Sequence, residues 1–183
     1  MDIYKLNFTV LELELFSFLC TRTGEKFSQR EIAKILKVSP TAVSNAVKRL
    51  AGKNLVKIEK TKTINFITLN RENYKATELK RVENLKQIYT SGLSDFLEEQ
   101  LAGATIILFG SYSRGEDTKS SDIDVAVIGR KEKALECEQF EKNLNRKINI
   151  NFYTSWKEIH RNLRNNILND SQINEPALKF NVG

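Results

Sequence analysis

Apolar and polar positions alternate along the chain in a way that changes period several times. From Leu6 to Leu19 the apolar residues Leu6, Val10, Leu13, Leu15, Phe16 and Leu19 are spaced for a helix, and Thr23-Gly24 stops it. Ser28 precedes a second helix, with Glu31 three residues on in capping-box position and Ile32, Ile35 and Leu36 as its apolar face. Lys37-Val38 makes a tight turn. Ser39 then caps a third helix, with Pro40 at its first position, where proline loses no hydrogen bond. Val43, Val47 and Leu50 line one side of that helix and Gly52 ends it. The pattern then shortens to two strands, Val56–Lys60 and Ile64–Leu69, around a turn at Thr61-Lys62-Thr63.

The second part of the chain begins with a charged helix, Arg71 to Tyr89, carrying a sparse stripe of Tyr74, Leu79, Val82, Leu85 and Ile88. It reads equally as a solvated linker and as a helix packed between domains or on a second copy. Ser91-Gly92 breaks it, and Leu93 to Leu101 forms another helix with Leu93, Phe96, Leu97 and Leu101 on one side. Ala104–Phe109 and Val125–Ile128 are continuous apolar runs of strand length. Gly129-Arg130-Lys131 turns the chain into a predicted helix from Glu132 to Leu144, with Leu135, Phe140 and Leu144 inward. Ile148–Phe152 alternates as a third strand, and Trp156–Leu168 is amphipathic, with Ile159, Leu163 and Ile167 on one face and His160 an ordinary helix-face residue. From Asn169 on no pattern is visible.

Charge sharpens the division. Residues 1–70 hold 12 of the 29 Lys and Arg but only 6 of the 23 Asp and Glu, so the whole +6 excess lies in the first third. A basic module joined to a neutral one points to a nucleic-acid contact at the N-terminal end, although such an excess is also common on soluble proteins. Cys20 and Cys137 lack ligand spacing and read as free thiols of a reducing cytoplasm. No signal peptide and no membrane-length apolar run is seen.

Between the two continuous strands lies Gly110-Ser111-Tyr112-Ser113-Arg114-Gly115-Glu116, read as a small-residue loop, running on to Ser121-Asp122-Ile123-Asp124. Side chains alternate on a strand, so Asp122 and Asp124 share one face while Ile123 points into the core. Two carboxylates beside a Gly-Ser turn suit Mg²⁺ and phosphate, since Mg²⁺ takes one or two carboxylates together with substrate phosphates. Asp-x-Asp pairs also occur at strand edges as ordinary surface residues. At these residues the chain resembles the DNA polymerase β-like nucleotidyltransferase superfamily, above all its minimal branch with the signature G-S-x10-D-x-D. The resemblance covers about the second half of the chain. Residues 4–70 resemble a winged helix-turn-helix domain, in Ser-x-x-Glu-Ile-Ala before the turn and Ser-Pro-Thr-Ala-Val-Ser after it.

Together these give an α/β (α+β) chain: residues 1–70 a winged helix-turn-helix, 71–92 a connecting helix, and 93–183 a nucleotidyltransferase fold with a small mixed sheet flanked by helices. With the apolar face of the third helix buried, Thr41, Ser44, Asn45 and Lys48 should point outward and reach base edges of duplex DNA. Arg30, Lys34, Lys53 and Lys62 are placed to meet phosphates. A winged helix also serves as a protein-docking module.

The nucleotidyltransferase resemblance implies transfer of a nucleoside monophosphate from an NTP, ATP first, with Gly110, Ser111 and Arg114 on the triphosphate and Asp122 and Asp124 holding Mg²⁺. It also implies a third carboxylate on the next strand, where this chain has Asn149 or Asn151. An amide is a weaker ligand and no base, which leaves three readings: a slow transferase, one completed by Glu116 or a partner, or a protein that only binds nucleotide. Minimal transferases of this signature include adenylyltransferases paired with HEPN toxins, which implies an antitoxin-like role with a partner protein as acceptor. A DNA-binding regulator with a degenerate transferase domain is the alternative, and a homodimer fits either.

Overall fold

The structure, a computed structural model, describes residues 7–160 and 163–165. The chain forms two compact units, Met1–Lys80 and Arg81–Gly183.

The first unit holds α1 (Val10–Thr21), β1 (Phe27–Ser28), α2 (Gln29–Leu36), α3 (Pro40–Gly52), β2 (Val56–Lys60) and β3 (Asn65–Leu69). Capping chemistry sets the helix starts. Ser28 and Glu31 form the expected capping box on α2, and Ser39 accepts from the Ala42 amide with Pro40 at the first turn of α3. Helix α1 starts four residues later than its apolar spacing predicts, because Thr9 and Glu12 form a second capping box. Residues 7–9 are not helical, and Leu6 lies outside the described residues. The strands run β1-β3-β2, all antiparallel, with Val56 opposite Leu69 and Lys60 opposite Asn65. The two-residue strand β1 has no counterpart in the predicted elements. The core gathers Leu15, Leu19, Ile32, Val43, Val47 and Leu50 among others. Ile35, expected on the buried face of α2, is instead 48% exposed: in a helix of only eight residues the inward face is taken by Ile32 and Ala33.

Helix α4 (Tyr74–Thr90) runs through the division between the units, with Asn73 accepting from the Lys75 amide at its start. The predicted stripe on it is only partly an inward face: Ile88 is buried, whereas Tyr74 and Val82 are exposed. The second unit continues with α5 (Leu93–Gln100), β4 (Thr105–Phe109), α6 (Gly110–Arg114), β5 (Ile123–Ile128), α7 (Glu138–Leu144) and β6 (Ile148–Tyr153). Its sheet has the order β4-β5-β6, antiparallel between β4 and β5 and parallel between β5 and β6. The sheet is mixed, as expected. One face packs Ile106, Leu108, Ile123, Val125 and Val127 against α5 and its surroundings; the other carries Ile107, Phe109, Ala126 and Ile128 beneath Ile159.

Three predicted elements differ. The Gly-Ser loop is the short helix α6, which ends at Gly115 in the left-handed conformation (φ 71°) that glycine adopts without a Cβ penalty. The helix expected from Glu132 begins only at Glu138. Leu135 still packs on the core from an irregular segment, so its spacing records burial and not helix. Trp156–Ile159 forms turns and His160 lies outside any helix; residues 163–165 are helical, and the rest of that predicted helix lies outside the described residues. Among the described residues no helix is long and apolar enough to cross a membrane.

Candidate functional site

Asp124 of β5 and Asp122 just before it lie toward the sheet face that carries Ala126 and Ile128, and Ile123 is fully buried on the opposite face. Register then assembles the site. Phe109 of β4 and Asn149 of β6 both lie opposite Asp124, so the end of β4 and the start of β6 flank the carboxylates. Gly110, the next residue, has φ 81°, and a Cβ built there would stand 2.7 Å from Asp124 Oδ2. Glycine is therefore required twice over, by its backbone angle and by the carboxylate packed on it.

The Asn149 side chain closes the arrangement. Its Nδ2 donates to Asp122 Oδ2 at 3.1 Å and to Asp124 Oδ1 at 3.2 Å. One oxygen of each carboxylate thus converges on a single donor, the disposition that also suits one divalent cation with oxygen ligands. Asn151 lies two residues on, opposite Ala126 and away from the pair. Of the two asparagines, it is Asn149 that stands at the aspartates. Among the described residues no group of three or more His, Cys, Asp or Glu gathers. Arg114, at the end of α6, pairs with Glu116 at 2.8 Å. Ser111 opens the first turn of α6, and its carbonyl accepts from the Glu116 amide at 2.9 Å.

Behind this face lies a buried polar network that pattern reading passes over. Asp117 and Arg146 form an ion pair at 2.8 Å, their side chains 0% and 4% exposed. Asn84 of α4 donates to Asp117 Oδ1 at 2.7 Å and to the Tyr112 carbonyl at 2.8 Å. Arg146 also donates to the carbonyls of Thr118 and Ser121, and its guanidinium lies over the Tyr112 ring. Burial pushes the Tyr112 phenol well above its ordinary range, against the opposing pull of Arg146. Nothing in the sequence marks Asp117 or Arg146: each sits in a polar stretch that reads as solvated loop.

In the first unit, Thr41, Asn45 and Lys48 of α3 are exposed and Ser44 is half-buried, on the side opposite Val43, Ala46, Val47 and Leu50. Arg30 and Lys34 on α2 and Lys62 at the β2–β3 turn are exposed. Lys53 is engaged elsewhere. It donates to the Asn7 carbonyl at 2.9 Å, lies 3.5 Å from buried Glu12, and sits over the Phe8 ring. Arg49 holds the other Glu12 oxygen at 2.8 Å, so Glu12 ties α1 to α3. The signal for this anchor was present in the sequence as Thr-x-x-Glu at residues 9–12.

Two family models match separate parts of the chain. Residues 91–174 match the family model of the nucleotidyltransferase domain, and residues 6–63 match that of the MarR family. No curated protein matches the chain. Among solved structures, a mutant of ZitR from Lactococcus lactis is similar at 20% identity with a TM-score of 0.40, over 52% of this chain and 64% of that one.

Proposed function

We propose that this chain, which joins a MarR-family winged helix domain to a nucleotidyltransferase domain, is a Mg²⁺-dependent nucleotidyltransferase that also binds duplex DNA. The observation that carries the transferase reading is the convergence of Asp122 and Asp124 on one point beside Gly110. In the reaction an acceptor hydroxyl oxygen bonds to the α-phosphorus of an NTP, ATP first, giving up its proton to water, and the bond to the β-phosphate bridge breaks, releasing pyrophosphate. Such transfers depend mostly on positioning and on charge neutralisation. Bound at Asp122 and Asp124, Mg²⁺ would neutralise charge on the phosphates. Gly110 would let its backbone approach the triphosphate, Ser111 would offer its hydroxyl and amide, and Arg114, paired with Glu116, would bring positive charge at the end of α6. We take a partner protein, in the antitoxin-like manner, as the acceptor.

Asn149 favours a second reading. Its amide is neutral and cannot take a proton from the acceptor, and losing a general base forfeits roughly 10²–10⁴ in rate. A regulator that binds DNA through Thr41, Ser44, Asn45, Lys48 and Lys62, and uses the transferase domain only to hold nucleotide or a partner, fits that substitution.

Incubation of the full chain with each α-³²P-labelled NTP, magnesium and cell lysate separates the two. A labelled macromolecule that disappears with Asp122→Ala and Asp124→Ala is expected for the transferase. Metal-dependent NTP binding without any labelled product would favour the regulator.

A further inference from the structure

We propose that Arg146, through its pairing with Asp117, is the positioning residue that sets where Asp122 stands, and so governs the metal affinity of the site. This rests on the reading of Asp122 and Asp124 as metal ligands. Arg146 lies just before β6, and one of its nitrogens reaches the carbonyls of both Thr118 and Ser121 while the other pairs with Asp117 at 2.8 Å. Ser121 is the residue before Asp122, and Asp122 itself precedes β5. Its backbone is therefore held on one side by strand register, through the Ile123 amide to the Lys147 carbonyl at 2.8 Å, and on the other by the Arg146 fork. Asp124, inside β5, needs no such help because the ladder fixes it on both sides.

The same guanidinium lies over Tyr112, and Asn84 joins the Tyr112 carbonyl to Asp117, so the network also steadies α6, which carries Gly110 and Ser111. A planar fork fixes two carbonyls and a carboxylate together, which a lysine ammonium does not reproduce. Residues behind metal ligands commonly change affinity by 10–100-fold when altered.

The test is Mn²⁺ binding to the full chain, read from the EPR signal of the free ion with and without ATP, alongside circular dichroism to confirm folding. Arg146→Gln should weaken Mn²⁺ binding at least tenfold in the folded protein. Arg146→Lys, with the charge but not the fork, should recover only part of it. Because Arg146→Gln takes the compensating guanidinium away from the buried Asp117 carboxylate, a second variant combines it with Asp117→Asn, removing both charges while keeping hydrogen-bonding groups. That variant should fold and still bind Mn²⁺ weakly. Wild-type affinity in either folded variant would overturn the positioning role, since a merely structural role would lower the melting temperature and leave affinity unchanged. Absence of Mn²⁺ binding by the wild type, or binding that survives Asp122→Ala with Asp124→Ala, would instead overturn the reading of the site on which this role depends.

Discussion

At the scale of single residues, the site turns on two positions where one atom more or less changes its chemistry. Asn149 donates to both aspartates, and Asn149→Asp would replace that donor by a third carboxylate at the same volume. Its added charge should tighten Mg²⁺ binding by at least about tenfold, well below the ~4 kcal/mol of a close charge pair near a protein surface. Repulsion among three carboxylates should also lower the melting temperature without metal, and magnesium should restore it. Melts with and without magnesium check both effects; an unchanged magnesium-induced shift would show that position 149 does not contribute to the metal. Gly110→Ala meets two obstacles, a φ of 81° and a Cβ 2.7 Å from Asp124 Oδ2. It should cost roughly 1–3 kcal/mol of stability and abolish metal-dependent ATP binding by displacing Asp124. Calorimetry of ATP with magnesium reads the second effect directly.

At the scale of elements, helix ends are set by hydrogen bonds more than by apolar spacing. The capping box of α2 gives a pH prediction. The Ser28 backbone amide, and its hydroxyl after it, hold the Glu31 carboxyl below its usual value of about 4.5. The folded state therefore binds the proton more weakly than the unfolded state. The contribution of Glu31 is complete above pH 4.5 and is lost as pH falls below that value through the depressed folded-state pKa. Glu31→Gln should lack this component, so the difference in melting temperature between the two proteins should narrow on acidification below pH 4.5. A difference constant over that range would contradict the cap. Glu12 closes the capping box of α1 from a buried position, with Arg49 and Lys53 supplying the compensating charge.

At the scale of the whole molecule, the two units divide charge as they divide fold. The net positive charge of residues 1–70 and the outward side of α3 together predict duplex binding whose affinity falls steeply with salt, because each neutralised phosphate releases counterions. Lys48→Ala on the outward side of α3 should weaken that binding further. Gel shifts of the full chain over a salt series check this, and absence of any duplex binding at low salt would remove the DNA-binding role.

The type and order of most elements were legible in the sequence, because burial on a regular element leaves a period in the chain; the two-residue β1 and the short α6 leave none. The Ser28 and Ser39 caps, Pro40, and the alternation that puts Asp122 and Asp124 on one face are local facts that follow from bond geometry. The irregular segment before Glu138 and the late start of α1 were not read correctly, since apolar spacing reports which residues are buried and leaves open what backbone carries them. Only tertiary structure decided which asparagine faces the aspartates: Asn149 and Asn151 share a side of β6, and the parallel register with β5 separates them. It likewise brought Asn84, Asp117 and Arg146 together from segments far apart in the chain. A buried polar network leaves no period along the sequence, because its partners are chosen by position in space and by the need of each desolvated group for a complement.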